Sequence, residues 1–193
     1  MLESLAQSPS LVQPVLSYSG AVVWLTGLSG AGKSTIAQGV YEHLVQQGRR
    51  CELLDGDQLR QQLCRDLGFS HADREENVRR IGYVAGLLSR HDVIVLVAVI
   101  APYNQDRQLL REQIPNFIEV FVDAPLATCE SRDPKGLYRR ARSGQIKGFT
   151  GIDDPYEAPL APECHLKTSE ESSQKSIDTL AELLMKRLAR AKL

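Results

Sequence analysis

Apolar positions along the chain fall into short continuous runs that alternate with amphipathic stretches. Residues 21–26 form an apolar, β-branched run that ends in glycines, and residues 93–100 form another without polar alternation. Such runs are typical of buried parallel strands that are covered on both faces. Between them apolar residues recur at helical spacing, as at Ile36, Val40 and Leu44. The alternation predicts a three-layer α/β fold around a mostly parallel central sheet.

The same pattern predicts the remaining elements. Further strands are expected at residues 51–54, 117–122 and 166–168, and helices at 104–113, after Pro125, at 136–143 and at the C-terminal end. Asp73 followed by Glu76 predicts a capping box for a helix that ends near Arg90. No repeat or internal boundary is visible. We therefore expect one domain over residues 21–193, preceded by a polar, poorly ordered arm over residues 1–20.

Composition narrows the class of protein. The chain has 193 residues, of which 42% are hydrophobic, so it can bury one sizeable core. A net charge of -1 gives no global field that would recruit nucleic acid or an anionic membrane. The longest apolar run is too short to cross a bilayer, and the N-terminal stretch lacks a signal-peptide pattern. Four cysteines without paired or zinc-site spacing predict reduced thiols and a cytoplasmic protein.

Basic residues crowd into one interval of the chain. Within residues 132–147 they face Asp133 as the sole acidic residue. This cluster is either a solvated helix face or a binding surface for a small polyanion, and both interpretations stay open from charge alone. Its members are Arg132, Lys135, Arg139, Arg140, Arg142 and Lys147.

Residues 27–34 match the pattern G-x-x-x-x-G-K-[ST] in full, between a predicted strand and a predicted helix. The glycines let backbone N–H groups turn towards a β-phosphate, and the helix N-terminus adds a positive dipole end. Lys33 should reach the β- and γ-phosphates, and Ser34 should ligate Mg²⁺. A guanine-reading N-K-x-D motif is absent, so GTP has no support. The expected ATP-binding residues of this phosphate loop are Gly27, Leu28, Ser29, Gly30, Ala31, Gly32, Lys33, Ser34 and Thr35.

Two carboxylates, Asp55 and Asp57, follow the second predicted strand and should lie beside the phosphate loop. One could help to place Mg²⁺ through water, and the other could orient and deprotonate an attacking hydroxyl. We favour Asp57 for the hydroxyl, although the sequence does not separate the two. The alternative is that Asp57 simply caps the next helix. With Lys33 these residues predict a small-molecule kinase.

Six ordered blocks of sequence resemble the adenylyl-sulfate kinase family over about residues 21–190. They are LTGLSGAGKST, LDGD, DLGFS, DREEN, DPKGLY and KGFTGIDDPYEAP. The resemblance implies transfer of the ATP γ-phosphoryl group to the 3′-hydroxyl of adenosine 5′-phosphosulfate. The products would be 3′-phosphoadenosine 5′-phosphosulfate and ADP, with Mg²⁺ as cofactor. A homodimer is implied by the resemblance alone.

The resemblance also implies how the nucleotides are held. Phe69 and Phe149 would sandwich the substrate adenine, whose flat ring suits offset stacking. Either ring could instead be a core residue. Arg132 corresponds to the region that covers the ATP adenine, and residues 135–142 would belong to a mobile lid. Within the last block, which we call the clamp (residues 147–159), Asp153 and Asp154 are expected to hold the shape of the loop.

An anion-binding set is implied for the phosphosulfate group. Arg60, Arg74 and Asn77 match the gripping positions of the family, and Lys147 joins them. Arginine suits this role because its planar fork binds oxyanions through two hydrogen bonds. The alternative for Arg74 is an exposed intrahelical pair with a nearby glutamate, which would stabilise the helix only slightly.

Ile100 and Ala101 should border the substrate, and the chain departs from the family pattern at the second of these positions. Many members carry a serine at the second of these positions, described as a phosphorylated intermediate. Ala101 has no hydroxyl, so that route is excluded here, whereas direct in-line transfer needs no such residue. Asn104 replaces a common basic residue although Arg107 is retained, and Cys64 replaces a polar one. We expect these changes to affect substrate affinity and turnover more than the type of reaction.

Two other classes of function stay open. One is a regulatory module that binds the activated sulfate product without turnover. The complete Lys33–Ser34 pair and the two loop aspartates argue against it, because a sensor needs no site for Mg²⁺ and a γ-phosphate. The other is a related kinase for another metabolite hydroxyl, such as that of a sugar acid. The Phe69 and Phe149 pair argues against this class, since a sugar needs no two-sided aromatic clamp.

Overall fold

The computed structural model describes residues 20–190, and the expected N-terminal arm lies outside the described residues apart from Gly20. Five parallel strands form one sheet in the order β2-β3-β1-β4-β5, as predicted for an α/β fold. Their bounds are β1 Ala21–Thr26, β2 Cys51–Asp55, β3 Ile94–Ala98, β4 Phe117–Asp123 and β5 Cys164–Lys167.

Helices cover both faces of the sheet. Alternate residues of β1 point to opposite faces, so Val23 and Leu25 enter one core cluster and Val22 and Trp24 enter the other. The first cluster packs beneath α1 and α7, and the second beneath α3 and α4. The bounds are α1 Lys33–Gln46, α2 Gly56–Gln62, α3 His71–Ser89, α4 Asn104–Gln113, α5 Leu126–Arg132, α6 Leu137–Arg142 and α7 Ser173–Arg190.

Two helix starts differ from the expectation. Ser70 caps α3 and forms a capping box with Asp73, so the box predicted between Asp73 and Glu76 is wrong. The Glu76 carboxylate instead accepts from Arg79 and Arg80. The cap of α2 is Asp55, whose side chain accepts from the backbone N–H of the second following residue. The alternative that Asp57 serves as this cap is therefore wrong.

The four cysteines are free thiols, and three of them are buried. Within residues 20–190 no helix is both long enough and apolar enough to span a bilayer. The loops after β1, β2, β3 and β5 all begin at the carboxyl ends of parallel strands, so they lie at the same edge of the sheet. Strands β2 and β3 lie on one side of β1, and strands β4 and β5 lie on the other. Such a reversal in strand order is the usual position of a ligand crevice in open α/β sheets.

Candidate active site

A cavity of about 1120 Å³ lies at this edge of the sheet. It brings together most of the residues predicted from the sequence, from both the phosphate loop and the substrate side. Gly27, Leu28 and Lys147 do not border it. The predicted residues that line it are Ser29, Gly30, Ala31, Gly32, Lys33, Ser34, Thr35, Asp55, Asp57, Arg60, Phe69, Arg74, Asn77, Ile100, Ala101, Arg132 and Phe149.

The phosphate loop takes its curved shape from glycines. Gly30 and Gly32 have φ values of 76° and 107°, in the left-handed region that side chains disfavour. Arg132 braces the loop, because its guanidinium donates to the Gly30 carbonyl at 3.2 Å and to the Thr168 carbonyl at 2.6 Å. The Thr168 hydroxyl donates in turn to the carbonyl of Ala31 at 2.7 Å. The predicted cradle is thus present, and it is tied to the end of β5.

Lys33 is folded back onto its own loop. Its Nζ donates to the carbonyls of Gly27 at 2.9 Å and Leu28 at 2.8 Å. The side chain is buried, and desolvation by burial lowers the pKa of Lys33 to about 8. A bound phosphate would replace these neutral carbonyls as the partner of Lys33 and would pair the ammonium with a full negative charge.

The two aspartates occupy distinct positions. The Ser34 hydroxyl donates to Asp55 Oδ2 at 2.6 Å, and the backbone N–H of Asp57 donates to Asp55 Oδ1 at 2.9 Å. The Asp57 carboxylate instead forms an ion pair with Lys135, from the segment before α6. Both carboxylates border the cavity, but Asp55 is fixed next to the predicted metal ligand whereas Asp57 pairs with the Lys135 ammonium.

Arg74 links the Phe69 segment to the clamp. Its guanidinium donates to the Phe69 carbonyl at 3.1 Å, to the Gly148 carbonyl at 2.5 Å and to the Thr150 hydroxyl at 2.9 Å. The Asp154 carboxylate lies 3.7 Å from Arg74 Nε. Because the side chain is buried and spans from α3 to the clamp, the alternative of an exposed intrahelical pair does not apply.

The two phenylalanines differ in environment. Phe69 is 64% exposed, and the Arg60 guanidinium lies 4.6 Å from its ring centroid. Phe149 is 9% exposed and packs edge-on against Tyr138, with ring centroids 5.1 Å apart. Both border the cavity. A core role therefore applies to Phe149 in addition to its position at the cavity, but it does not apply to Phe69.

Asn77 carries an unsatisfied polar atom at the cavity wall. Its side chain is buried, it borders the cavity, and its Oδ1 has no hydrogen-bond partner within residues 20–190. Leaving a buried amide oxygen unpaired costs about 1–3 kcal/mol. The position is open to a hydrogen-bond donor or, with the amide turned, to an acceptor on a ligand.

The family model described as Adenylylsulphate kinase matches residues 19–167. An adenylyl-sulfate kinase of Synechococcus sp. (strain JA-3-3Ab) is 60% identical over 165 residues, covering 86% of this chain and 94% of the relative. The chain belongs to the adenylyl-sulfate kinase family. The predictions of the family and of its kinase fold are confirmed.

Solved structures of the family agree. The Mycobacterium tuberculosis APS kinase in complex with AMPPNP and APS has a TM-score of 0.83 and 47% identity, covering 86% of this chain and 98% of that one. A hexameric APS kinase from Thiobacillus denitrificans has a TM-score of 0.65 and 34% identity. That match covers 87% of this chain and 29% of the longer relative.

In this member of the adenylyl-sulfate kinase family, the loop after β3 is held by a buried arginine. Arg107 is 2% exposed and donates to Glu119 at 2.7 Å and to the carbonyls of Ala101 and Glu157. It is thus a structural brace and does not border the cavity. Cys64 is also buried and does not border the cavity, so its replacement of a polar residue removes no polar group from the cavity lining.

The basic cluster divides into two groups. Arg132 and Lys135 border the cavity, whereas Arg142 pairs with Glu130 at 2.5 Å. Lys147 is exposed and lies outside the cavity lining, so its predicted place in the anion-binding set gains no support. A ligand-facing role thus applies to part of the cluster only.

Several residues of the site were missed by the sequence analysis. Thr150 and Thr168 border the cavity, and Tyr138 donates its hydroxyl to the Ser29 carbonyl at 2.9 Å. Tyr138 and Thr150 lie inside blocks that carry the family resemblance, which was the available signal. Asp153 accepts from the backbone N–H groups of both Gly148 and Phe149, so it holds the clamp as expected.

Proposed function

We propose that the chain phosphorylates the 3′-hydroxyl of adenosine 5′-phosphosulfate with ATP, forming 3′-phosphoadenosine 5′-phosphosulfate and ADP. One observation carries the proposal. A single cavity of about 1120 Å³ is lined both by the phosphate loop and by an arginine and aromatic set, so it offers binding groups for ATP and for a second nucleotide. Membership of the adenylyl-sulfate kinase family supports the same reaction.

Asp57 is the group that receives the hydroxyl proton. As the substrate oxygen bonds to the γ-phosphorus, the bond from phosphorus to the bridging oxygen breaks and ADP departs. The pair between Asp57 and Lys135 opens for this step, which frees a cation for the transferring group. Lys33 leaves its carbonyls and binds the phosphates. Ala101 borders the cavity without a hydroxyl, so transfer is direct.

Mg²⁺ is the expected cofactor, and the residues present fit it. The Ser34 hydroxyl and the Asp55 carboxylate supply hard oxygen donors 2.6 Å apart, the ligand type that Mg²⁺ prefers. When bound, the ion would neutralise charge on the β- and γ-phosphates. Within residues 20–190 no group of three or more His, Cys, Asp or Glu side chains forms a metal cage. A site completed by phosphate oxygens and water is consistent with that arrangement.

Substrate recognition falls to the clamp side. Phe69 offers an exposed ring face to the adenine, and Phe149 offers the second surface. The guanidinium groups of Arg60 and Arg74 lie over the Phe69 ring and supply positive charge for the phosphosulfate. Part of the hydrogen-bonding capacity of Arg74 is used on the loops, so its role combines positioning with charge.

We further expect a homodimer in the cytoplasm, with the free thiols consistent with a reducing compartment.

The decisive experiment compares hydroxyl acceptors. Purified protein is incubated with ATP and Mg²⁺ and with adenosine 5′-phosphosulfate, AMP or gluconate, and ADP release is followed while products are identified by mass spectrometry. We expect micromolar adenosine 5′-phosphosulfate to stimulate ADP release and to gain phosphate at the 3′-position. Folded protein that shows no stimulation would overturn the proposal. Turnover of gluconate alone would indicate another metabolite kinase, and product binding without turnover would indicate a sensing module.

A further inference from the structure

Tyr138 contacts the phosphate loop from within the lid. It lies near the start of α6, is 2% exposed, and donates its hydroxyl to the Ser29 carbonyl at 2.9 Å. Burial raises the pKa of the Tyr138 hydroxyl well above its ordinary value, so the group remains a donor at physiological pH. The position of this side chain is therefore tied to the conformation of the ATP side.

The ring of the same residue contacts the clamp. Tyr138 and Phe149 meet edge to face, with an interplanar angle of 85°. This is a favourable geometry for an aromatic pair. The residues on either side of Phe149 accept hydrogen bonds from Arg74, which also bonds to the Phe69 carbonyl. A continuous path of contacts thus runs from the phosphate loop, through Tyr138, to both substrate-side rings.

Local hydrogen bonds fix the position of Tyr138 near the start of α6. The Asp133 carboxylate accepts from the backbone N–H groups of Tyr138 and Arg139, both at 3.1 Å. The preceding residue, Leu137, borders the cavity. A shift of α6 would therefore move the hydroxyl contact at Ser29 and the ring contact at Phe149 together.

We propose that Tyr138 is a positioning residue that couples occupation of the ATP side to ordering of the substrate clamp. The inference rests on the proposed function, because it concerns the two substrates of that reaction. A nucleotide that fixes the phosphate loop also fixes the Ser29 carbonyl, and Tyr138 then holds Phe149 in place. The second ligand meets a clamp that is already ordered and loses less conformational entropy on binding.

The test is a thermodynamic cycle on the full-length protein. Calorimetry gives the Kd of adenosine 5′-phosphosulfate for the free protein and for protein saturated with AMPPNP and Mg²⁺. In the wild type we expect the analogue to tighten binding by roughly 5- to 150-fold, the usual range of coupling. Tyr138→Phe removes one hydrogen bond and keeps the ring, so the coupling should fall by roughly two- to tenfold. The Kd of adenosine 5′-phosphosulfate should change less for the free variant than for the variant saturated with AMPPNP and Mg²⁺.

Tyr83→Phe is the matched control, because Tyr83 is 66% exposed on α3 and does not border the cavity. It should retain the wild-type coupling. A Tyr138→Phe protein with wild-type coupling, or a wild type without coupling, would overturn the inference. Lower thermal stability alone would not change the ratio of the two Kd values, so a merely structural role predicts unchanged coupling.

Hydrogen exchange in the wild type gives a measurement that does not depend on folding of the variant. AMPPNP and Mg²⁺ alone should slow amide exchange in a peptide covering residues 147–156, and unchanged exchange would contradict the inference. The proposed function is tested separately by turnover. A protein that shows coupling without turnover would refute the proposed function and leave the coupling, whereas turnover without coupling would refute the coupling only.

Discussion

The phosphate loop and the clamp are both glycine-containing loops at one cavity, but they are held in different ways. The phosphate loop takes its curvature from its own glycines at positive φ and from the start of α1. The clamp is held by Asp153 within the loop, by Arg74 from α3 and by Tyr138 from α6. The curvature of the phosphate loop comes from its own residues and is braced by Arg132 and Thr168, whereas the clamp is tied to α3 and α6 through Arg74 and Tyr138.

This difference separates chemistry from recognition. Removing the Lys33 ammonium from the phosphate loop should take charge stabilisation from the reacting phosphates without removing any contact of the clamp. A change in the clamp should alter affinity for the acceptor and, where the side chain is also part of the core, the stability of the fold. The two aromatic residues sharpen the contrast, since Phe69 is exposed and Phe149 is buried.

Lys33→Ala should have the largest effect. We expect kcat to fall by at least about 10²–10³-fold, as is typical when a group that stabilises transition-state charge is removed. The protein should stay folded, because the lost ammonium is bonded only to carbonyls of its own loop. Steady-state ADP release and circular dichroism measure the two outcomes.

The matched control is Lys186→Ala, since Lys186 lies on the exposed side of α7 and pairs only with Glu182 in the described structure. This control should keep full activity. If Lys33→Ala retained wild-type kcat, the catalytic assignment of the phosphate loop would be wrong. If it raised only the KM of adenosine 5′-phosphosulfate, the separation between the two loops would fail.

Replacing each phenylalanine by alanine should give the next largest effects. Either change should raise the KM of the acceptor by roughly two- to twelvefold, the equivalent of about 0.5–1.5 kcal/mol for one aromatic contact. Phe149→Ala should also lower the free energy of unfolding by about 3 kcal/mol, because it empties a core position. Phe69→Ala should change stability by less than about 1 kcal/mol.

Denaturant unfolding and steady-state kinetics on the same two variants make this comparison. Phe→Leu at each position serves as a milder control that retains apolar volume. Equal losses of stability in the two alanine variants would contradict the different burial of the rings. An unchanged KM in both would remove the proposed aromatic grip.

Most of the fold could be predicted because its signals are local. Buried parallel strands give continuous apolar runs, and helices show the spacing of Ile36, Val40 and Leu44, so element order followed from the pattern. The start of α3 was misplaced because Ser70 with Asp73 and Asp73 with Glu76 both have the spacing of a capping box. Asp73 is part of the capping box, but as the partner of Ser70 and not as the cap itself.

The site was predictable to a different degree on its two sides. The phosphate-loop residues are contiguous, so one motif located them. Tyr138 was missed because its role depends on Ser29, which is 109 positions away in the chain. Lys147 was assigned to the anion-binding set because it lies in a block that resembles the family. In the structure its side chain is exposed and does not border the cavity. Side-chain direction in a loop depends on packing partners that a motif does not specify.

The lowered pKa of Lys33 predicts pH-dependent binding of ATP. Above pH 8 the amine of the free protein is largely neutral, and bound phosphates would favour its protonated form. ATP binding should therefore take up a fraction of a proton above pH 8, and affinity should fall by at most about tenfold per pH unit. Below pH 8 the group is already charged, so the uptake should disappear.

Calorimetry in buffers with different ionisation enthalpies measures this proton uptake. Lys33→Arg is the appropriate control, because a guanidinium stays charged throughout the range. The variant should bind ATP without the uptake seen above pH 8. An equal uptake in wild type and variant would show that another group titrates, and it would remove the link between burial of Lys33 and nucleotide affinity.

Ala101→Ser should have the smallest effect. It tests whether phosphoryl transfer uses a serine hydroxyl at this position. Ala101 borders the cavity with a φ of 43°, and serine adds a single hydroxyl there. Direct transfer predicts kcat within about twofold of the wild type, because the attacking hydroxyl belongs to the substrate. Mass spectrometry after incubation with ATP would detect any phosphoserine. Phosphorylation of the new serine, with turnover that then depends on it, would contradict direct transfer. Unmodified serine with normal turnover would support direct transfer from ATP to the substrate hydroxyl.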